Sequence, residues 1–473
     1  MQKKVMEEMA QTLQKEGLSR RDALKIAGVA SAAALVNPQV GHAATEAHAA
    51  SNAKGKVVII GAGAGGISLA AKLNSMLSSP DITIIDATET HMYQPSYTLI
   101  AGGVVGNDYP KAPNADYIPS GVKWVKEMAE NIDPDAKTVT TNKGNVISYD
   151  YLVVGAGIEL HYGGQYGIEG LSESDIGKNG IMSIYKYDGA IAAWKQLQEM
   201  AAESKKRPIN AIFHESPTPI KCGGAPKKIM YLTQDYLRSK DGNRDNATLT
   251  LMSPGGAMFG VKAYNDAIFK QFDKRGMKYK HKHKLIKIDP AAKEATFEYQ
   301  VEEMDPDLGI KVAVKKQTVE KYDYIHIIPH QRGARIVADN PKLTLPNGFL
   351  KLDMFTLQSP DYPEIFGVGD ICGTPMGKTG GSVRKQYPVV AQNLVDAMEG
   401  KPASAKYNGY TVCPLITNYG SIMMAEFGYK IDGKDTVLPS APLDPTQERW
   451  MWWLLKVYGL KPMYFSGMLR GKA

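Results

Sequence analysis

The sequence has few cysteines, no long apolar run and little net charge. Three cysteines among 473 residues are too few for a scaffold held by several disulfides or for a four-thiolate metal site. No uninterrupted apolar stretch reaches the roughly 18 residues of a membrane-spanning helix, which argues against a polytopic membrane protein. The formal charge of +7, without a dense Lys/Arg block in the body of the chain, gives no support to nucleic-acid binding. The composition, with 43% hydrophobic and 22% charged residues, is that of an ordinary globular protein.

The amino-terminal residues have the composition of an export signal. Arg20 and Arg21 precede an apolar stretch over 26–36 and a small-residue region that ends near Ala43. This order resembles a twin-arginine signal peptide, which exports proteins already folded around a cofactor. We therefore expect a signal over 1–43, an Ala-rich linker over 44–55 and a periplasmic mature protein.

A first nucleotide-binding fold follows the linker. A β-branched run over 56–60 predicts a buried parallel strand, and Gly61, Gly63 and Gly66 then match G-x-G-x-x-G at the start of a helix. These glycines permit a tight turn and close approach of a pyrophosphate to the helix amino end. A second strand ends at Asp86, placed to bind the ribose of the adenosine half.

Two later stretches repeat a strand that ends in a glycine turn. The first runs over 149–157, and the second, over 365–370, ends in Gly369-Asp370. Together with the first glycine loop they resemble the FAD-binding segments of flavoproteins with two dinucleotide-binding domains. The resemblance implies FAD as the cofactor, with the Asp370 carboxylate on its ribityl chain.

A second fold lacks the features that bind a pyridine nucleotide. The predicted strand over 209–213 leads into residues 214–226, which contain no G-x-G-x-x-G. Pro217 and Pro219 lack the N–H donors that a phosphate-binding turn requires. The electron-transfer partner of this domain is therefore predicted not to be NAD(P)H.

Cys222 lies in the region where the second glycine loop would be expected, and Cys372 lies near the Gly369-Asp370 turn. Cys222 follows the second-domain strand, and Cys372 lies two residues after Asp370, where we expect the flavin ring. A disulfide between them would be an electron relay, because a nucleophile can open it and release a thiolate beside the flavin. We expect Cys413 to be an inert, buried small residue.

Several motifs together resemble the sulfide:quinone oxidoreductase family, of the eukaryote-like second type. They lie at residues 91–95, 220–231, 369–372, 378–379, 413–415 and 468–471. The resemblance implies oxidation of sulfide through the Cys222–Cys372 pair, FAD as cofactor, Lys378 near the flavin pyrimidine edge and a membrane quinone as oxidant. Ile371 separates Asp370 from Cys372, a spacing that instead resembles the flavoprotein subunit of flavocytochrome c sulfide dehydrogenase. Cytochrome c is therefore the alternative acceptor.

The histidines near these motifs are predicted to be structural or solvated. His214 and Glu215 are interpreted as an exposed loop pair, with assistance to proton transfer near Cys222 as the alternative. His281 and His283 alternate with lysines, which indicates a solvated basic strand and no metal site.

The carboxyl terminus is basic and aromatic. Three of the five tryptophans are Trp450, Trp452 and Trp453, and Pro462 divides the remaining residues. This composition predicts a pair of amphipathic helices at a membrane surface, and packing onto a partner subunit or completion of the core are the alternatives.

The predicted fold class is α/β, with two Rossmann-like domains of which the FAD domain is discontinuous, and an amphipathic membrane-facing carboxyl-terminal segment. The predicted units are 56–165 and 331–430 for the FAD domain, 166–330 for the second domain and 431–473 for the membrane and quinone segment.

Overall fold

The fold is organised around two parallel sheets. The computed structural model describes residues 50–304, 309–438 and 443–473; the predicted signal peptide and most of the linker lie outside these ranges. The first sheet has five strands, all paired in parallel. In spatial order its strands are Ile365–Gly367, Tyr151–Val154, Lys56–Ile60, Asp81–Ile85 and Lys123–Val125.

Both faces of the first sheet are covered, which explains its continuous β-branched sequences. The helices Ala64–Met76 and Gly380–Met398 pack on one face, where Leu69 and Leu394 belong to the same buried cluster. The other face contributes Val58 and Leu152 to a second buried cluster. The predicted strands and the helix after the first glycine turn are confirmed.

The second sheet also has five parallel strands. In spatial order they are Ile181–Met182, Tyr324–His326, Ile209–His214, Ala247–Met252 and Lys278–Lys280. Its longer helices are Tyr187–Ser204, Ala225–Ser239 and Lys262–Lys274. The helix Ala225–Ser239, hereafter the cysteine helix, begins three residues after Cys222.

Antiparallel strands complete the described fold. Among them are Thr90–Met92 with Lys111–Pro113, Ile158–His161 with His330–Gly333, and the sheet Ala129–Asp133, Thr138–Thr141 and Val146–Ser148. The others are the sheet Lys284–Asp289, Glu294–Met304 and Lys311–Lys321, and the sheet Thr411–Asn418, Ser421–Ile431, Lys434–Val437 and Glu448–Arg449. Short helices lie at Tyr97–Ala101, Arg335–Ala338, Trp450–Leu454 and Leu460–Pro462.

The carboxyl-terminal segment, residues 448–473, packs against the body of the protein. Trp452 and Leu469 are buried, and the Val457 carbonyl accepts a hydrogen bond from the Tyr109 hydroxyl at 2.8 Å. The predicted break at Pro462 is wrong, because the backbone stays helical from Pro462 into Met463. A wide π-type turn just before it gives the proline ring room that a regular helix denies.

In the described part of the chain, the helices are all too short or too polar to cross a lipid bilayer.

Candidate functional site

The first glycine turn forms a cradle at the amino end of the helix Ala64–Met76. Gly61 has a φ of +103°, and a Cβ on Gly66 would lie 1.9 Å from the Gly61 carbonyl oxygen, so neither position accepts a side chain. A Cβ on Gly63 would meet nothing within 4 Å, which leaves open space where a phosphate can approach the helix. The three predicted glycines therefore fit the pyrophosphate of FAD.

Asp86 supports the same turn. Its Oδ2 accepts a hydrogen bond from the Ala62 N–H at 2.6 Å, and its Oδ1 accepts one from the Thr88 N–H at 2.7 Å. The carboxylate thus lies beside the glycine loop, where the ribose of a bound dinucleotide would be placed. Its contact with the ribose stays a prediction.

The Gly369-Asp370 turn is held by Lys378. The Lys378 ammonium donates to the carbonyls of Asp370 at 2.8 Å and Cys372 at 2.7 Å, and it lies 3.8 Å from the centre of the Phe349 ring. Burial lowers the pKa of Lys378 to about 8. Burial also raises the pKa of Asp370, against the opposing charges of Lys221 and Lys378. Lys378 therefore fixes the shape of the turn that we predict to hold the flavin.

Cys372 is the predicted site residue whose surroundings differ most from expectation. It is fully buried in the cluster that also contains Val58 and Leu152 of the first sheet. Its backbone forms an isolated parallel β-bridge with Leu350. Burial raises the pKa of its thiol to about 12. The structure places Cys372 in the core of the first sheet and brings Cys413, not Cys372, into the cluster against which Cys222 packs, so it does not favour the predicted Cys222–Cys372 pair.

Cys222 lies in a strained loop immediately before the cysteine helix. Its φ is +51°, a left-handed conformation that residues other than glycine rarely adopt. Its N–H donates to the Lys378 carbonyl at 3.0 Å, which connects the loop to the Gly369-Asp370 turn. The side chain is half-buried and packs against the core of the second domain.

The partner of Cys222 is Cys413. Cys413 lies on the strand Thr411–Asn418, is buried, and belongs to the core cluster against which Cys222 packs. A hydrogen bond from Cys413 and the nearby ammonium of Lys228 hold the pKa of the Cys222 thiol well below its ordinary value. The same hydrogen bond, with burial, holds the pKa of Cys413 well above it. Cys413 is buried, as expected, but it lies beside Cys222 and not among apolar side chains alone.

A glycine makes this approach possible. A Cβ on Gly224 would lie 2.5 Å from the Cys413 Sγ, which is a steric clash. The same Cβ would lie 3.5 Å from the Lys228 Cε, an ordinary van der Waals contact. A Cβ on the preceding Gly223 would meet nothing within 4 Å. Only the second glycine of the pair is therefore required for the two sulfurs to meet.

Two buried lysines face the cysteines. Lys228 Nζ lies 3.2 Å from the Cys222 Sγ. Burial alone would lower the pKa of Lys228, but the thiol groups of Cys222 and Cys413 raise it overall. Lys456, from the carboxyl-terminal segment, donates to the Pro95 carbonyl at 2.7 Å, and burial followed by repulsion from Lys228 lowers its pKa to about 7. The site therefore favours a thiolate on Cys222.

The histidine loop also differs from expectation. His214 is fully buried, and its Nδ1 accepts a hydrogen bond from the Ile328 N–H at 3.4 Å. Glu215 forms an ion pair with the buried Lys227. The prediction of an exposed loop pair is wrong, because His214 ends a central strand of the second sheet and Glu215 follows it directly. Within the described ranges, no group of three potential ligands is placed to hold a metal ion.

Known proteins resemble this chain over most of its length. The family model described as pyridine nucleotide-disulphide oxidoreductase matches residues 55–189. The mitochondrial sulfide:quinone oxidoreductase of Dictyostelium discoideum is 36% identical over 419 residues, 88% of this chain and 86% of that protein. Its counterpart in Mus musculus is 32% identical over 417 residues, with the same shares covered.

A solved structure has the same fold. The sulfide:quinone oxidoreductase of Aquifex aeolicus superposes with a TM-score of 0.67 at 23% sequence identity, covering 89% of this chain and 92% of that chain.

Proposed function

The chain belongs to the sulfide:quinone oxidoreductase family, and from this premise we propose that it oxidises sulfide through a redox-active disulfide between Cys222 and Cys413. It is an FAD-dependent oxidoreductase that takes electrons from sulfide and passes them to a quinone. The observation that carries the proposal is the placement of Cys222 and Cys413 in one cluster beside Lys228, whose Nζ lies 3.2 Å from the Cys222 Sγ. FAD, when bound at the glycine cradle, supplies a two-electron acceptor.

The two sulfurs have different roles in the proposed reaction. Hydrosulfide forms a sulfur–sulfur bond with one cysteine while the Cys222–Cys413 bond breaks and the electron pair of that bond stays on the leaving sulfur. The thiol of lower pKa leaves faster, and Lys228 stabilises the thiolate of Cys222. Hydrosulfide therefore attacks Cys413, which keeps the added sulfur as a persulfide, and Cys222 is released as the thiolate.

The position of Cys222 suits an electron donor to FAD. Its N–H is bonded to the carbonyl of Lys378, whose ammonium holds the Gly369-Asp370 turn. Cys413 belongs to the buried cluster of the second domain. The thiolate that leaves is thus the one on the flavin side.

An anaerobic titration tests this function. Sulfide added to the purified flavoprotein is expected to reduce the flavin, and a soluble quinone added afterwards is expected to restore the oxidised spectrum. Reduction without recovery by quinone, but with recovery by cytochrome c, would contradict the quinone as acceptor. The relatives named above give no support to cytochrome c.

The carboxyl-terminal segment is proposed to contact the membrane. Two features support this: the segment carries three tryptophans and five basic residues against one acid between Gln447 and Ala473, and its Lys456 reaches the cysteine site. Aromatic and basic side chains favour the lipid interface, where a membrane quinone is available. Binding to vesicles that contain anionic lipid is expected to weaken when Trp450, Trp453 and Tyr458 are changed to Ser.

We also propose export to the periplasm by the twin-arginine route, from the sequence pattern at Arg20 and Arg21. Replacement of both arginines by Lys is expected to retain the flavoprotein in the cytoplasmic fraction. Unchanged export would contradict this proposal.

A further inference from the structure

The carboxyl-terminal segment places aromatic side chains inside the predicted FAD domain. Tyr464 is buried, and the centre of its ring lies 4.9 Å from that of Tyr93 and 5.6 Å from that of His91. The ring of the neighbouring Phe465 lies 5.1 Å from the Tyr117 ring. The segment therefore brings a buried hydroxyl group, that of Tyr464, to the first domain.

His91 binds this hydroxyl in a defined direction. Asn114 Nδ2 donates to the Thr88 carbonyl at 2.6 Å, so the Asn114 Oδ1 is left to accept from the His91 Nδ1 at 2.9 Å. The proton of the neutral ring is then on Nδ1, and Nε2 accepts from the Tyr464 hydroxyl at 2.7 Å. Burial lowers the pKa of His91, which favours this neutral form.

Thr88 continues the same series of hydrogen bonds to the glycine turn. Its N–H donates to the Asp86 Oδ1 at 2.7 Å, and the Asp86 Oδ2 accepts from the Ala62 N–H of the turn at 2.6 Å. Five hydrogen bonds, hereafter the Asp86 path, thus lead from Tyr464 to Ala62, and none is longer than 2.9 Å. The path ends at the carboxylate that we predict to bind the ribose of FAD.

The Asp86 carboxylate can bind a ribose without losing these bonds. Each carboxylate oxygen has two lone pairs and uses one of them for a backbone N–H, which leaves one for a hydroxyl group. The two N–H groups fix the rotation of the carboxylate about its side chain. One of them belongs to Thr88, whose carbonyl is in turn held by Asn114 and, through it, by His91.

We propose that Tyr464 and His91 are positioning residues for FAD: through the Asp86 path, the docked carboxyl-terminal segment orients the Asp86 carboxylate for the adenosine half of the cofactor. Neither residue takes part in the chemistry at sulfur. Because such coupling is reciprocal, bound FAD also favours the docked segment.

Other contacts keep the segment docked when the Tyr464 hydroxyl is removed. Leu469 is fully buried in the cluster on the helical face of the first sheet. Gly471 has a φ of +70° and lies so close to the helix Ala64–Met76 that a Cβ would be 2.7 Å from the Lys72 nitrogen. Removal of one hydroxyl therefore tests the Asp86 path and not the docking of the segment.

The test is Tyr464→Phe in the FAD-loaded full chain, with release of FAD followed by flavin fluorescence after dilution. The variant is expected to release FAD about fivefold faster than the parent, the effect of losing about one hydrogen bond. The phenylalanine ring keeps the packing against Tyr93, so the change is confined to the hydroxyl.

The matched control is Tyr109→Phe. The Tyr109 hydroxyl also bonds to the carboxyl-terminal segment, because it donates to the Val457 carbonyl at 2.8 Å, but this bond is not part of the Asp86 path. The control is expected to release FAD at the parental rate.

A double variant tests the path itself. Asn114→Leu interrupts the path on the other side of His91, since Asn114 bonds to one ring nitrogen and Tyr464 to the other. Tyr464→Phe combined with Asn114→Leu is expected to release FAD no faster than Asn114→Leu alone, because the Tyr464 hydroxyl then has no connection to Asp86.

Release of FAD at the parental rate by Tyr464→Phe would overturn the proposal. Equal acceleration by Tyr464→Phe and Tyr109→Phe would also overturn it, because that result describes loosening of the whole segment. Additive effects in the double variant would do the same. Release of FAD requires no sulfide, so these outcomes are independent of the sulfide oxidation proposed above.

Discussion

Replacement of Lys228 by Met is expected to raise the pKa of Cys222 by about one to two units. The Lys228 ammonium lies 3.2 Å from the Cys222 Sγ, and a hydrogen bond to a charged group contributes about 1.5–3 kcal/mol in a protein. One pKa unit corresponds to about 1.36 kcal/mol, which gives the size of the shift. The sign is upward, because loss of the cation favours the neutral thiol.

The assay is the rate of alkylation at Cys222 in the reduced holoprotein, followed by mass spectrometry as a function of pH. The variant is expected to reach half of its maximal rate at a pH one to two units above that of the parent. Lys228→Arg should keep the parental midpoint. A control, Lys195→Met, removes a cation whose side chain is 80% exposed and should change nothing. An unchanged midpoint in Lys228→Met would refute the role of this lysine.

Two further predictions concern the sulfur site and the core. Gly224→Ala places a Cβ 2.5 Å from the Cys413 Sγ and is expected to slow reduction of the flavin by sulfide about 100-fold. Gly223→Ala has open space around its Cβ and should keep the parental rate. Equal rates of flavin reduction in the two variants would contradict the packing of Gly224 against Cys413. Burial lowers the pKa of His326 to about 3. Between about pH 6.5 and pH 3 the unfolded chain binds a proton at His326 that the folded protein does not, so the free energy of unfolding should fall by about 1.4 kcal/mol for each unit by which the pH is lowered. Urea unfolding at several pH values should show that the free energy of unfolding of His326→Leu depends less steeply on pH than that of the parent. An equal dependence on pH in the two proteins would contradict this prediction.

The nucleotide fold could be predicted from sequence because its signals are local. A run of Val and Ile, a glycine turn and an amphipathic helix follow one another, and the structure places Gly61 and Gly66 where a side chain would collide with backbone. Each of these constraints involves residues close in sequence. The second sheet was identified by its strand over 209–213 for the same reason.

The cysteine pair could not be predicted in the same way. Cys413 reaches Cys222 because its strand packs beside the cysteine helix, a contact between distant parts of the chain. Cys372 follows Asp370 closely, but the direction of its side chain depends on the bridge to Leu350. One signal was available, since Gly224 two residues after Cys222 removes a side chain where another atom approaches.

The central claim is most directly tested by mapping the disulfide in the protein as purified under air. Free thiols are alkylated, the unreduced protein is digested, and linked peptides are identified by mass spectrometry. A peptide that joins Cys222 to Cys413, with Cys372 alkylated only after unfolding, is the predicted result. A link between Cys222 and Cys372, or ready alkylation of all three cysteines in the oxidised protein, would contradict the account.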